Sequence, residues 1–248
     1  VDAIKSHPKV AVSRREEQSM TTAPRAERAA TAAQPEARST HHRIDNHYRN
    51  GGYWRNRMDL MYYGYVDYIM RTVARGASSM IDIGTANCPY LEWFDWIGDR
   101  VSFDLETPYA SSRVQGIRGD FLDHRFDRRF DVCTCLQVLE HIPDVERFAR
   151  KLLTMADTLV LSVPYLWNAG AAEDHLHDPI DLEKLTLWMG REPNYHLVVQ
   201  EPFRGKVGQR LIAIYDRDAA KGYGRNDFRH RIRRTGLGPG GRAMDLAD

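Results

Sequence analysis

Hydrophobic and polar positions along the chain alternate between two periods. Trp54, Met58, Met61, Tyr62, Tyr65, Val66, Ile69 and Val73 recur at helical spacing, which predicts an amphipathic helix entering the core. From residue 79 the pattern changes to short apolar runs closed by Gly, Asp or Pro, the signature of buried strands. These runs predict strands at 79–84, 101–105, 115–118, 130–136 and 158–163. Helical stretches at 89–97, closed by Gly98, and at 143–155 separate them. Asp178-Pro179 is expected to open a further helix, as N-cap and first helical residue, running to about Met189. "HLVVQEPF" and "GQRLIAIYD" then form an antiparallel hairpin. Strand alternating with helix is an α/β pattern, a mostly parallel sheet covered on both faces with the hairpin in or beside it.

The pattern fades at both ends. Residues 1–45, including "TTAPRAERAATAAQPEARSTHH", carry no sustained apolar period and are expected to be a disordered tail. Residues 219–248 are Gly-rich and locally basic and are expected to be a second, flexible tail, leaving 46–218 as the folded domain. The whole chain has 248 residues, 42% hydrophobic and 28% charged, enough for one domain with a real core. Its formal charge of +1 supplies no global pull toward nucleic acid or anionic lipid. The 3 cysteines, Cys88, Cys133 and Cys135, lack both disulfide and zinc spacing. Cys133 and Cys135 read as small core residues. With no long apolar run, the composition points to a reducing, cytoplasmic setting.

In a parallel sheet, ligands bind at the carboxyl ends of the strands, beside the point where strand order reverses. The first strand, in "MIDIGTANCPYLEW", delivers Asp82 and Gly84. The second ends in Asp104-Leu105-Glu106, about 20 residues further on, the spacing of a carboxylate that binds ribose hydroxyls. Asp120 and Phe121 follow the third and offer an acceptor and a flat apolar surface to a purine. The fourth runs into "CLQVLEHIPD". This set suits a nucleoside. A dinucleotide loop needs three glycines to seat a pyrophosphate on a helix N-terminus, and the corresponding residues here are Gly84, Ala86 and Pro89. Each carboxylate also has an ordinary reading: Asp104 and Asp120 as turn residues, and Glu140 as a partner of the following helix dipole.

"MIDIGTANC", "VSFDLE", "GDFLD" and "FDVCTCLQVLEHIPD", in this order and spacing, resemble the motifs of class I S-adenosylmethionine-dependent methyltransferases, in particular the small-molecule and sugar branch whose fourth strand enters a Leu-Glu-His turn. The resemblance covers roughly residues 54–216. It implies a Rossmann-like, doubly wound seven-stranded sheet whose last strand is antiparallel. It further implies S-adenosyl-L-methionine as cofactor, its methionine end at Asp82 and Gly84 with the small Ala86 in the turn, and its ribose at Asp104, with Leu105 also counted among the cofactor-binding residues. The adenine would lie at Asp120 and Phe121, with Gln137 beside the cofactor.

"YLWNAGAAEDHLHDP" follows the fifth strand and should overhang the acceptor. Methylating a hydroxyl needs a base, and His141 and His175 are the two candidates. His175, His177 and Asp178 lie within one short loop, poor geometry for enclosing an ion, so no metal is expected there. The expected activity is transfer of a methyl group to a small-molecule or glycan hydroxyl. An RNA methyltransferase using the basic C-terminal segment, and a catalytically silent binding protein with the same fold, are the alternatives. The near-zero net charge disfavours the first and the intact carboxylates disfavour the second.

Overall fold

The computed structural model describes residues 52–233, so the expected N-terminal tail and the chain beyond 233 lie outside it. Two short helical segments come first, α1 (Gly52–Arg55) and α2 (Met61–Val73). The single helix expected from Trp54 to Val73 is therefore broken. The amides of Met61 and Tyr62 donate to the buried Glu201 carboxylate, at 3.0 and 2.8 Å, and this long-range cap starts α2 afresh.

The strands are β1 (Ser79–Ile83), β2 (Asp99–Asp104), β3 (Gln115–Arg118), β4 (Phe130–Leu136), β5 (Ala156–Pro164), β6 (Tyr195–Gln200) and β7 (Gln209–Asp216). They form one seven-stranded sheet in the order β3-β2-β1-β4-β5-β7-β6. β1 pairs in parallel with β2 and β4, and β7 runs antiparallel to both β5 and β6, as the hairpin predicts. Strand order reverses between β1 and β4, which puts the loops after these two strands side by side.

Alternation along the strands feeds two cores. Ile81, Ile83, Phe103, Cys133 and Cys135 pack on one face against α3 (Val145–Met155) and α4 (Leu182–Met189). Met80, Val132, Val160 and Ile212 pack on the other against α1 and α2. Both Cys133 and Cys135 are fully buried, as their reading as core residues requires.

Three further expectations are corrected. Residues 89–97 do not make an α-helix; only a 3-10 turn forms, Pro89–Trp93. Arg100 donates to the carbonyl of Leu91 and Arg71 to that of Trp93, each at 3.2 Å, so the acceptors an α-helix would need are taken. α4 begins later than expected, with Asp181 as N-cap accepting from the Lys184 amide at 2.8 Å. Asp178 instead accepts from His175. Lastly, the chain from 219 to 233 is no free tail. Lys221 and Tyr223 bond Asp216, and a short helix, α5 (Arg225–Arg229), stacks Phe228 on Tyr68.

Candidate functional site

The β1 loop is shaped by neighbours that the sequence already contains. Gly84 has φ +82°, and a Cβ there would lie 2.4 Å from Val138 Cγ2 in the loop after β4, so only glycine fits. Ala86 and Asn87 are also left-handed, at φ 50° and 57°. Such backbone persists where surrounding bonds over-determine it. Here the Ala86 amide donates to Asp104 Oδ2 at 2.8 Å, the Asn87 amide to Thr107 O at 2.7 Å, and the Gly84 amide to Phe103 O at 2.8 Å. With these amides engaged, the loop lacks the array of free N–H groups that a pyrophosphate requires.

Asp82 and Thr134 are partners in the β1–β4 register, and the Thr134 hydroxyl donates to Asp82 Oδ1 at 2.6 Å. Tyr90 donates to the same oxygen. Oδ2 is buried with no partner among the described residues, and burial pushes the carboxyl up to about 6. Asp104 also accepts from the amides of Glu106 and Thr107, at 2.9 and 2.8 Å, so its carboxylate both shapes the turn and ties it to the β1 loop. Leu105 beside it is 57% exposed, an apolar surface held out at the strand end.

The third-strand residues divide. Asp120 is exposed and accepts from the Leu122 amide at 2.8 Å, a turn cap. Phe121 is buried among Phe103, Phe126 and Phe148, with ring centroids 4.6–6.2 Å away. Its ring belongs to the core, which corrects its expected role as an open face for a purine.

Beyond β4 the chain turns through Gln137, whose φ of +58° is a strained conformation for a non-glycine residue. Its Nε2 donates to Ser162 Oγ at 3.2 Å, and that hydroxyl also bonds Tyr62 Oη at 2.6 Å. A cavity of about 110 Å³ opens here, lined among others by Tyr62, Gln137, Glu140, His141, His175 and Arg210. Glu140 is fully buried, and burial pushes its carboxyl up to about 8; its Oε2 has no partner among the described residues. His141 Nδ1 lies 3.0 Å from Asp174 O, and His175 Nδ1 lies 2.7 Å from Asp178 Oδ2. The two rings sit 4.9 Å apart, so the two histidine candidates share one site. His177 is turned away, bonded to Ile142 O at 2.8 Å.

Tyr62, Arg210 and Trp167 were not singled out from the sequence. Arg210 reaches the cavity because β7 is antiparallel, so its first residues, not its last, lie at the carboxyl end of the sheet. The available signal was an arginine inside an apolar strand run. Trp167 stacks on His175 with centroids 5.4 Å apart and anchors its indole nitrogen on Gln209 O at 2.8 Å.

No family model and no curated protein matches the chain. Solved structures do. The chain is similar to the N-methyltransferase NodS from Bradyrhizobium japonicum, in complex with S-adenosyl-L-homocysteine, at 15% identity and a TM-score of 0.53 over 69% of this chain and 98% of that one. It is also similar to the 1,6-didemethyltoxoflavin-N1-methyltransferase of Burkholderia thailandensis, with 1,6-didemethyltoxoflavin and S-adenosylhomocysteine bound, at 18% identity and a TM-score of 0.51 over 69% of this chain and 84% of that one. The fold is therefore the Rossmann-like fold of class I methyltransferases. No helix among the described residues is long and apolar enough to cross a membrane.

Proposed function

We propose that this chain is an S-adenosyl-L-methionine-dependent methyltransferase acting on a hydroxyl of a small molecule or sugar. The observation that carries the reading is the paired loops at the strand-order reversal. One is fed by β1, where Asp82 holds a buried carboxylate oxygen with no partner among the described residues, and makes a glycine turn braced by Asp104. The other opens into a polar cavity with two imidazoles. A carboxylate oxygen without a partner suits the ammonium of a methionine moiety, and the loop's engaged amides do not suit a pyrophosphate. Asp104 keeps acceptor capacity for a ribose hydroxyl, Leu105 offers apolar surface to the adenine, and Gln137 lies between cofactor and acceptor. Both structural relatives bind S-adenosylhomocysteine, which supports the same cofactor here.

On the acceptor side, His141 and His175 are the groups able to take a hydroxyl proton as oxygen attacks the sulfonium methyl in line. Because both relatives are N-methyltransferases, an amine acceptor is the second reading. An amine needs a base less, so unchanged turnover in both His141→Ala and His175→Ala would favour it. A fall of roughly 10²–10⁴-fold in either, with cofactor affinity retained, favours the hydroxyl.

The cofactor assignment is tested by calorimetry on the purified chain. Binding of S-adenosylmethionine or S-adenosylhomocysteine is expected, with no heat from NAD. Asp104→Ala should weaken cofactor binding by about 1.5–3 kcal/mol for a charged hydrogen bond, plus the cost of a released loop. NAD binding without a response to the sulfur compounds overturns the reading.

A further inference from the structure

The loop after β4 and the loop after β5 meet in one cluster. One ligand atom each from Glu140, His141 and His175 lie within 4.8 Å of one another. Their protonation is set by what lies behind them. His141 Nδ1 faces the backbone carbonyl of Asp174, which can only accept, so Nδ1 carries the hydrogen and Nε2 the lone pair. His175 Nδ1 faces the carboxylate of Asp178, whose side chain is 1% exposed, and the same argument leaves its lone pair on Nε2. The stacked indole of Trp167 fixes the ring plane. Glu140 Oε1 lies 3.9 Å from His141 Nε2, and Oε2 is buried without a partner among the described residues.

An imidazole anchored through Nδ1 on a carbonyl or carboxylate, with Nε2 pointing into a site, is the arrangement that orients a metal ligand. Here it occurs twice, beside the Glu140 carboxyl, whose buried Oε2 has no partner among the described residues. We propose that Glu140, His141 and His175 hold one divalent transition-metal ion, with the acceptor oxygen completing its coordination. Two imidazoles and one carboxylate with open positions suit zinc, iron(II), manganese(II) or cobalt(II) more than calcium or magnesium. An ion about 2.0–2.2 Å from each ligand needs the three atoms about 3–3.5 Å apart, so the triangle contracts by roughly 1 Å on binding. Arg210, lining the same cavity, would face an anionic part of the acceptor.

The ion's role, unlike its binding, rests on the methyltransferase reading. A hydroxyl ligating it loses its proton to solvent near neutral pH. The O–C bond then forms as the S–C bond of the sulfonium breaks, leaving a methyl ether and a neutral thioether. In that case the imidazoles act through the ion and take no proton themselves.

The test uses the full chain, stripped with chelator and titrated with Zn²⁺ by calorimetry in the absence of cofactor and acceptor, with Co²⁺ absorption as a second probe. One ion per chain is expected. Glu140→Gln and His175→Ala should weaken it by about 100-fold or more, and Asp178→Ala, which removes the orienting partner and leaves the three ligands, by about 10–100-fold. His177→Ala should bind as the parent does, because that ring is turned away. Circular dichroism melts of each variant separate lost ligation from lost folding, and His141→Ala replaces any variant that does not fold. Absence of stoichiometric uptake, or uptake unchanged in folded Glu140→Gln and His175→Ala, overturns the proposal. Titrating S-adenosylhomocysteine into the same samples reports on the cofactor reading separately, so either can fail alone.

Discussion

Asp82 is the residue at which folding and the proposed cofactor binding make opposite demands. Burial raises its carboxyl from 3.8 to about 6, so the folded cofactor-free chain binds a proton that the unfolded chain has released between those values. The stabilisation is therefore complete below about pH 4 and lost as pH rises through about 6. Asp82→Asn, which keeps an acceptor for Tyr90 and Thr134, should remove this contribution and leave that of Glu140, whose carboxyl burial raises to about 8. The measurement is the melting temperature of both proteins from pH 4 to 7: the wild type should lose ground to the variant as pH rises. A cofactor ammonium reverses the preference, because it favours the ionised carboxylate. Affinity for S-adenosylhomocysteine should rise through about pH 6 in the wild type and stay flat in the variant. Parallel pH profiles for both proteins would remove Asp82 from the methionine end of the site.

At the scale of elements, what was legible in the sequence is what local pattern determines. The buried strands β1, β2, β4, β5 and β7 are short apolar runs and were readable as such, while the more exposed edge strands β3 and β6 were placed by the turn residues and the hairpin pattern around them. The misreadings have distant causes. Arg71 and Arg100 claim carbonyls in 89–97 and leave a 3-10 turn where the apolar period suggested a helix. Glu201, far along the chain, caps α2 and breaks the expected long helix. The site divides in the same way: Gly84, Asp104 and Gln137 follow from strand-end logic. The meeting of His141 with His175 depends on two loops folding together, which residue spacing does not encode. The Glu201 cap is testable. Glu201→Ala leaves two amides without their carboxylate, at a cost of about 1–3 kcal/mol, while Glu201→Gln keeps an acceptor and should lose less. Denaturant melts give the two values. Cofactor affinity should be unchanged in both, since the cap serves α2 and not the β1 loop. Equal stability of Glu201→Ala and the wild type would mean that the break in the helix has another cause.

Across the whole molecule, the two ends of the sheet have separate tasks. The carboxyl ends of the parallel strands carry the β1 loop and the cavity, and antiparallel β7 contributes Arg210 there from its beginning. The opposite end is closed by residues 219–233. Asp216, the last residue of β7, accepts from Lys221 and Tyr223, and burial of Asp216 is outweighed by these bonds, which hold its carboxyl below the usual range. Phe228 stacks on Tyr68 of α2 with centroids 5.8 Å apart and packs on Tyr195 of β6 at 5.5 Å. The Ile232 amide donates to Arg71 O at 2.9 Å. Ending the chain at residue 218 would uncover two tyrosines and remove the Lys221 and Tyr223 bonds of Asp216. A loss of about 1–2 kcal/mol is expected, which lowers the melting temperature of a domain of this size by about 2–8 °C. Because every one of these contacts lies at the amino end of the sheet, S-adenosylhomocysteine should bind the shortened protein as tightly as the full chain. Thermal melts and calorimetry on the two proteins measure both quantities. A weakened cofactor with unchanged stability would mean that the C-terminal segment acts on the site and not on the scaffold beneath it.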